Sequence, residues 1–164
     1  MKFKNVLISF IIAFIFWILL NNSFEPLQLI IGAGLSLILA LIFCARCDVF
    51  SEIKLTPKAF FFTLAYLVVF LYELVKSNID VARRVITPSL PINPGIVEVK
   101  TKLKSKMGRM ILANSITLTP GTLTIDIQDD ILYIHWIDVQ SEDIDEATKT
   151  IVRKFEKYLE KIYG

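Results

Sequence analysis

Cysteine and histidine are scarce: two and one, respectively, in 164 residues. Two cysteines cannot build a disulfide scaffold. Cys44 and Cys47 have Cys-x-x-Cys spacing, but a structural zinc takes four ligands. The single histidine, His135, stands far along the chain inside a strand pattern. The cysteine pair is therefore read as two small residues at a helix end, and His135 as a packed strand residue. Charge of one sign is also lacking, since the formal net charge is +2. That is too small for the basic footprint of a nucleic-acid binder. No glycine-rich phosphate loop occurs, and neither a nucleophile motif nor paired carboxylates surround His135. Asp126, Asp129 and Asp130 lack the spacing of a calcium loop and read as a solvated turn. The chain is expected to be no enzyme and to need no cofactor or metal.

Charge is missing along two whole stretches. None is carried from Asn5 to Leu20, nor from Leu27 to Ala45. A bilayer-spanning helix needs about 20 apolar residues, so helices are expected at about 4–21 and 26–46. Lys2 and Lys4 give the start a signal-peptide look. No small-residue cleavage pattern follows, and the second run comes at once, so an uncleaved hairpin is expected. Phe16 and Trp17 sit where aromatic side chains favour the interface. Gly32 and Gly34 either ease packing against the first helix or offer a contact face to another subunit.

A third apolar segment is expected at about 57–86, opened by Thr56 as N-cap and Pro57 in the first turn. It becomes amphipathic near its end: Glu73, Lys76, Ser77, Asp80 and Arg84 share one helical face, opposite Val75, Ile79, Ala82 and Ile86. Glu73 is a functional candidate by its setting, but Lys76, three residues on, supplies an interfacial ion pair. Pro88 ends the helix. Positive residues prefer the cytoplasmic side. Lys2 and Lys4, then Arg46, Lys54 and Lys58, place both ends of the first hairpin inside. Lys76, Arg83 and Arg84 would be carried outside by a third crossing. An even number of crossings is expected: either the third helix lies tilted in the interface, or one of the three does not cross.

Residues 1–87 thus read as a membrane region, 88–95 as a stiff proline-rich linker, and 96–164 as a small cytoplasmic α+β domain. Period-two alternation predicts a strand over 96–103. The lysines along it and at 104 and 106 either blunt a sheet edge or meet anionic headgroups. A helix is expected over about 106–117, with Met107, Met110, Ile111 and Leu118 inward and Gly108 as its weak point. Strands 122–127 and 131–137 form a hairpin. Asp143 with Glu146 makes a capping pattern for a last helix running through Ile162. The order is βαββα.

The least generic run, Asn114 to Thr124, is rich in threonine around Pro120-Gly121. Pro-Gly reads as a tight turn. Threonine hydroxyls can satisfy backbone groups where a helix ends and a strand begins. Together with Phe16-Trp17, the Ser23–Pro26 turn and the His135-Trp136 strand, this run resembles the E subunit of the multisubunit Mrp/Mnh-type cation/proton antiporters, over nearly the whole length. The resemblance implies an accessory membrane subunit of a sodium/proton exchanging complex. Its partners would be other subunits and the lipid bilayer, and its place the cell membrane. It marks Asn114, Thr117, Thr119, Pro120 and Gly121 as signature positions, expected to pack against a partner or the chain's own helices. A membrane-tethered domain that senses a ligand is the rival reading.

Overall fold

The computed structural model describes residues 3–44, 52, 54 and 56–164. Cys47, Lys2 and Arg46 lie outside the described residues, as does the side chain of Cys44. The chain forms two compact units, residues 1–53 and 54–164.

The first unit is a helical hairpin, α1 (Phe3–Asn21) and α2 (Pro26–Cys44). Both helices are long and apolar enough to cross a membrane. Asn22, at φ 47°, turns the chain between them, a conformation that asparagine tolerates better than most residues. The Trp17 indole N–H donates to the Gln28 carbonyl across the turn, at 3.0 Å. Gly32 lies under the same indole, and a Cβ there would run into the ring. Gly32 thus eases packing within the hairpin. Gly34 has nothing within 4 Å of an added Cβ, so it plays no such part.

The second unit begins with α3 (Pro57–Ile86) and continues β1 (Gly95–Lys100), α4 (Lys106–Leu118), β2 (Thr122–Gln128), β3 (Ile131–Trp136), α5 (Ile144–Ile151) and α6 (Arg153–Tyr163). The expected caps form. The Thr56 hydroxyl accepts from the Ala59 N–H at 3.1 Å. The Asp143 carboxylate accepts from the N–H groups of Asp145 and Glu146, both at 3.0 Å. The sheet is antiparallel with β3 central, in the order β1-β3-β2. Its inner face (Val97, Val99, Leu132, Ile134, Trp136) joins Leu112, Ile116, Ile151, Val152, Phe155 and Leu159 in one core. Helices α4, α5 and α6 supply the opposite side of that core, and α3 packs outside them against α6. The sheet's other face is open, with Ile96, His135 and Leu123 side by side across the three strands.

Several expectations are corrected. Strand β1 stops at Lys100 rather than 103, because Thr101 turns inward to a buried acid. The Glu156 carboxylate accepts from the Thr101 hydroxyl at 2.6 Å and from the Lys102 N–H at 2.7 Å. In α4, Met110 and Leu118 are exposed, and the inward face is Gly108, Leu112, Ala113, Ser115 and Ile116. Gly108 is what allows that face: a Cβ there would stand 3.3 Å from the Tyr163 Cβ. The last helix is divided at Val152, which keeps helical dihedrals of −90° and −48°. In β2 a bulge between Thr124 and Asp126 breaks the alternation. Leu123, Ile125 and Ile127 are left exposed, while Thr122 and Thr124 turn to α4. Residues 88–95, expected as a stiff linker, fold back onto the sheet. A turn closes from Leu90 N–H to the Thr87 carbonyl at 2.9 Å, and Asn93 exchanges backbone hydrogen bonds with Ile137 and Val139.

Candidate functional site

Of the polar face of α3, Glu73, Ser77 and Arg84 turn inward. Glu73, with 14% of its side chain exposed, pairs with Lys154 of α6 at 2.9 Å. The partner expected from sequence, Lys76, instead points outward. Helical spacing alone favoured the near lysine, whereas tertiary packing brings Lys154 alongside from 81 residues away. Arg84 holds three groups at once: Asp80 at 2.7 Å, Asp138 at 2.9 Å and the Pro91 carbonyl at 2.7 Å. Higher on the helix, the Tyr66 hydroxyl is hydrogen-bonded to the Ser115 hydroxyl. The Tyr66 and Phe70 rings lie 6.4 and 6.5 Å from that of Phe155.

The threonine/Pro-Gly run faces this helix at the joint between α4 and β2. The Thr119 hydroxyl donates back to the Ser115 carbonyl at 2.7 Å, and the Thr122 hydroxyl to the Ile116 carbonyl at 2.7 Å. Carbonyls that α4 leaves open at its end are closed by side chains. The Thr117 hydroxyl accepts from the Thr124 N–H at 3.1 Å, and the Thr124 hydroxyl donates to the Ala113 carbonyl at 3.1 Å. Helix and strand are thus laced on both sides of the turn. Gly121 holds φ +91°, where glycine alone is unstrained. A Cβ there would meet Ile137 at 3.0 Å and Val81 of α3 at 3.7 Å. Its carbonyl accepts from the Ile137 N–H at 2.8 Å.

A cleft of about 570 Å³ opens where these parts meet. Its walls include Glu73, Asp80 and Arg84 of α3, the turn Thr119–Thr122, Asp138 and Lys154. The signature positions divide. Thr119, Pro120 and Gly121 line the cleft. Asn114 and Thr117 are exposed on another side of α4, beside the bulged β2. Sequence reasoning missed Tyr66, Asp138 and Lys154 as members of the joint, and gave Ser115, inside the run, no role of its own. Ser115 carried a signal, since it is a polar residue between Leu112 and Ile116 on the inward face. Lys154 carried none beyond its place on an amphipathic helix.

The acidic turn residues serve the hairpin. Asp129 takes φ 54°, and the Asp130 carbonyl accepts from the Thr101 N–H at 2.8 Å. The Gln128 side-chain amide and the Ile127 N–H hold the Asp126 carboxyl below its ordinary range. Among the described residues no three His, Cys, Asp or Glu side chains converge to hold a metal ion.

A sequence profile of a family described as Na+/H+ ion antiporter subunit matches residues 10–162. The E1 subunit of the Na(+)/H(+) antiporter of Staphylococcus haemolyticus is 35% identical over 165 residues, covering 96% of each chain. The E subunit of the Na(+)/H(+) antiporter of Alkalihalophilus pseudofirmus is 35% identical over 143 residues, 85% of this chain and 86% of that one. Among solved structures, a chain of the membrane-bound sulfane sulfur reductase, an archaeal respiratory membrane complex, matches with a TM-score of 0.81 and 45% identity. It covers 94% of this chain and 96% of its own.

Proposed function

The chain belongs to the family of Na+/H+ ion antiporter subunits, and on that premise we propose that it is an accessory subunit of a multisubunit sodium/proton antiporter, serving assembly and stability rather than lining the ion path. The observation that carries this reading is the state of Glu73. It is the one acid inside the three apolar helices ahead of their polar end, and Lys154 occupies it. Between Asn5 and Cys44 the only charged residue is Glu25, in the turn. A path for cations needs ionisable groups free to exchange them, which in this reading belong to partner subunits.

In this reading α1 and α2 cross the bilayer, and residues 96–164 lie in the cytoplasm, as the lysine and arginine flanks favour. Asn114, Thr117, Thr119, Pro120 and Gly121 form a rigid joint. Thr119, Pro120 and Gly121 set the domain against α3, and Asn114 and Thr117 sit on the side offered to a partner. Exposed Leu123, Ile125 and Ile127 beside them support that assignment. A ligand-sensing role is less supported, because Glu73, Arg84, Asp138 and Lys154 in the cleft are paired with one another.

The test is recovery of the whole complex on a native gel beside sodium/proton antiport in vesicles, with and without this chain. Loss of both together is expected. A complete complex that forms without the chain, yet transports nothing, would assign it a direct role in transport. For the topology, a cysteine at exposed Lys157 should resist a membrane-impermeant thiol reagent in intact cells, and rapid labelling would place the domain outside.

A further inference from the structure

We infer that α3 lies in the membrane–water interface, its outer face set into an anionic lipid surface and the sheet domain held on its inner face. This rests on the reading above, in which the chain is a membrane subunit with α1 and α2 spanning. By length and composition α3 also qualifies as a span, but its contacts forbid it. The domain is tied to it from end to end. Phe62 packs against the core, Tyr66 reaches Ser115, Glu73 reaches Lys154 and Arg84 reaches Asp138, and just ahead of the helix the Lys54 ammonium donates to the Gly164 carbonyl. No stretch of about 20 residues remains free of the domain to cross a bilayer. A crossing would also carry exposed Arg153, Lys157 and Lys161 of α6 to membrane depth.

The outer face is nonetheless built for an apolar phase. Leu64, Leu67, Val68, Leu71, Tyr72 and Val75 are all exposed. At ~100° per residue they fill an arc roughly 140° wide. The amphipathic order is reversed relative to a water-facing helix: Glu73, Ser77 and Arg84 point to the protein, and aliphatic groups point away. The arc holds large side chains and lacks the small-residue seam by which helices approach each other in lipid. Its breadth suits a fluid surface better than one partner helix. Exposed Lys58, Lys76 and Arg83 fall within about 20° of one another by the same spacing, in a row along one edge of the arc. Cations bordering an apolar face are what anionic headgroups attract. Asn78, inside the arc, turns its amide onto the Leu74 carbonyl at 2.7 Å, which spares it a partner outside. In sequence, residues 45–56 are all that separate α3 from the apolar run of α2.

The experiment is spin labelling of the full chain within the purified complex, reconstituted in phosphatidylglycerol-containing vesicles. Cys44 and Cys47 are first replaced by serine. Single cysteines are then placed at Leu64, Val68, Leu71, Val75 and Ile79, with Lys157→Cys as the water-exposed reference. Collision with oxygen against a nickel chelate reports depth. All five are expected at one shallow depth, within ~5 Å of each other, about one helical turn's rise. A ramp of ~20 Å from Leu64 to Ile79, the rise of a crossing helix, overturns the inference. So do labels as water-exposed as the Lys157 reference, or labels closed to both reagents, which would mean that a partner protein covers the face. Replacing Lys58, Lys76 and Arg83 together by glutamine should raise all five labels toward water in phosphatidylglycerol vesicles and leave them unmoved in neutral phosphatidylcholine; equal behaviour in the two also overturns it. Co-purification of each labelled chain with the larger subunits tests the subunit reading separately, whatever the depth.

Discussion

The hairpin α1–α2 and the helix α3 are each long and apolar enough to cross a membrane and differ in what holds them. The hairpin is joined by close packing, with Gly32 under the Trp17 ring and a single indole hydrogen bond at 3.0 Å. Helix α3 is joined by polar anchors spread along its length, with aromatic packing between them. Apolarity alone says that a helix meets lipid somewhere. Where the helix keeps its polar residues says on which side it meets protein. In α3 Glu73, Ser77 and Arg84 turn to the protein, and the aliphatic side opposite them faces outward.

The sharpest way to break α3 from its domain is Gly121→Val. A β-branched residue at φ +91° costs ~1–3 kcal/mol in backbone strain, and contact with Ile137 adds to it. Thermal unfolding of the full chain in detergent should fall markedly, and complex recovery with it. Unchanged unfolding would mean that the turn is not what fixes the joint. The matching test of the hairpin is Gly32→Ala. It places a methyl group in the Trp17 ring and should cost ~1–3 kcal/mol by overpacking. Gly34→Ala should cost nothing in the isolated chain, and a defect seen only in the complex would locate a neighbouring subunit there.

Lys154→Ala leaves Glu73 without its partner in a mostly buried place, at a cost of ~1–3 kcal/mol. Glu73→Gln combined with Lys154→Gln should recover part of that. If the double variant is no better than the single, the pair contributes little. Last comes Thr117→Ala, which removes one exposed hydrogen bond to the Thr124 N–H, worth about 0.5–1.5 kcal/mol. A loss as large as that of Gly121→Val would point to a partner contact through Thr117.

Much of this was legible in advance, and for particular reasons. Thr56 and Asp143 announced their helices because capping is local. The apolar helices followed from long runs without charge, and the order βαββα from periodicity. Gly121 was legible because Pro-Gly has few conformations. What could not be read were choices made across the chain. Glu73 had a lysine three residues away and took one 81 residues away. Thr101 left its strand for Glu156. The aliphatic side of β2 was easy to see, but whether it faced core or surface depended on α4 offering its carbonyls to the threonines. Leu90, at φ 40°, gave no sign that the proline-rich stretch folds back onto the sheet.

The separation between Glu73 and its lysine also sets an order of events during synthesis. Glu73 leaves the ribosome 81 residues before Lys154, a delay of about 4–16 s at ~5–20 residues per second. Until then the cation nearest to Glu73 in the helix is Lys76, three residues on. Only when the final helix emerges can α3 close against it. The contact that holds Glu73 is therefore among the last that the chain can make during synthesis.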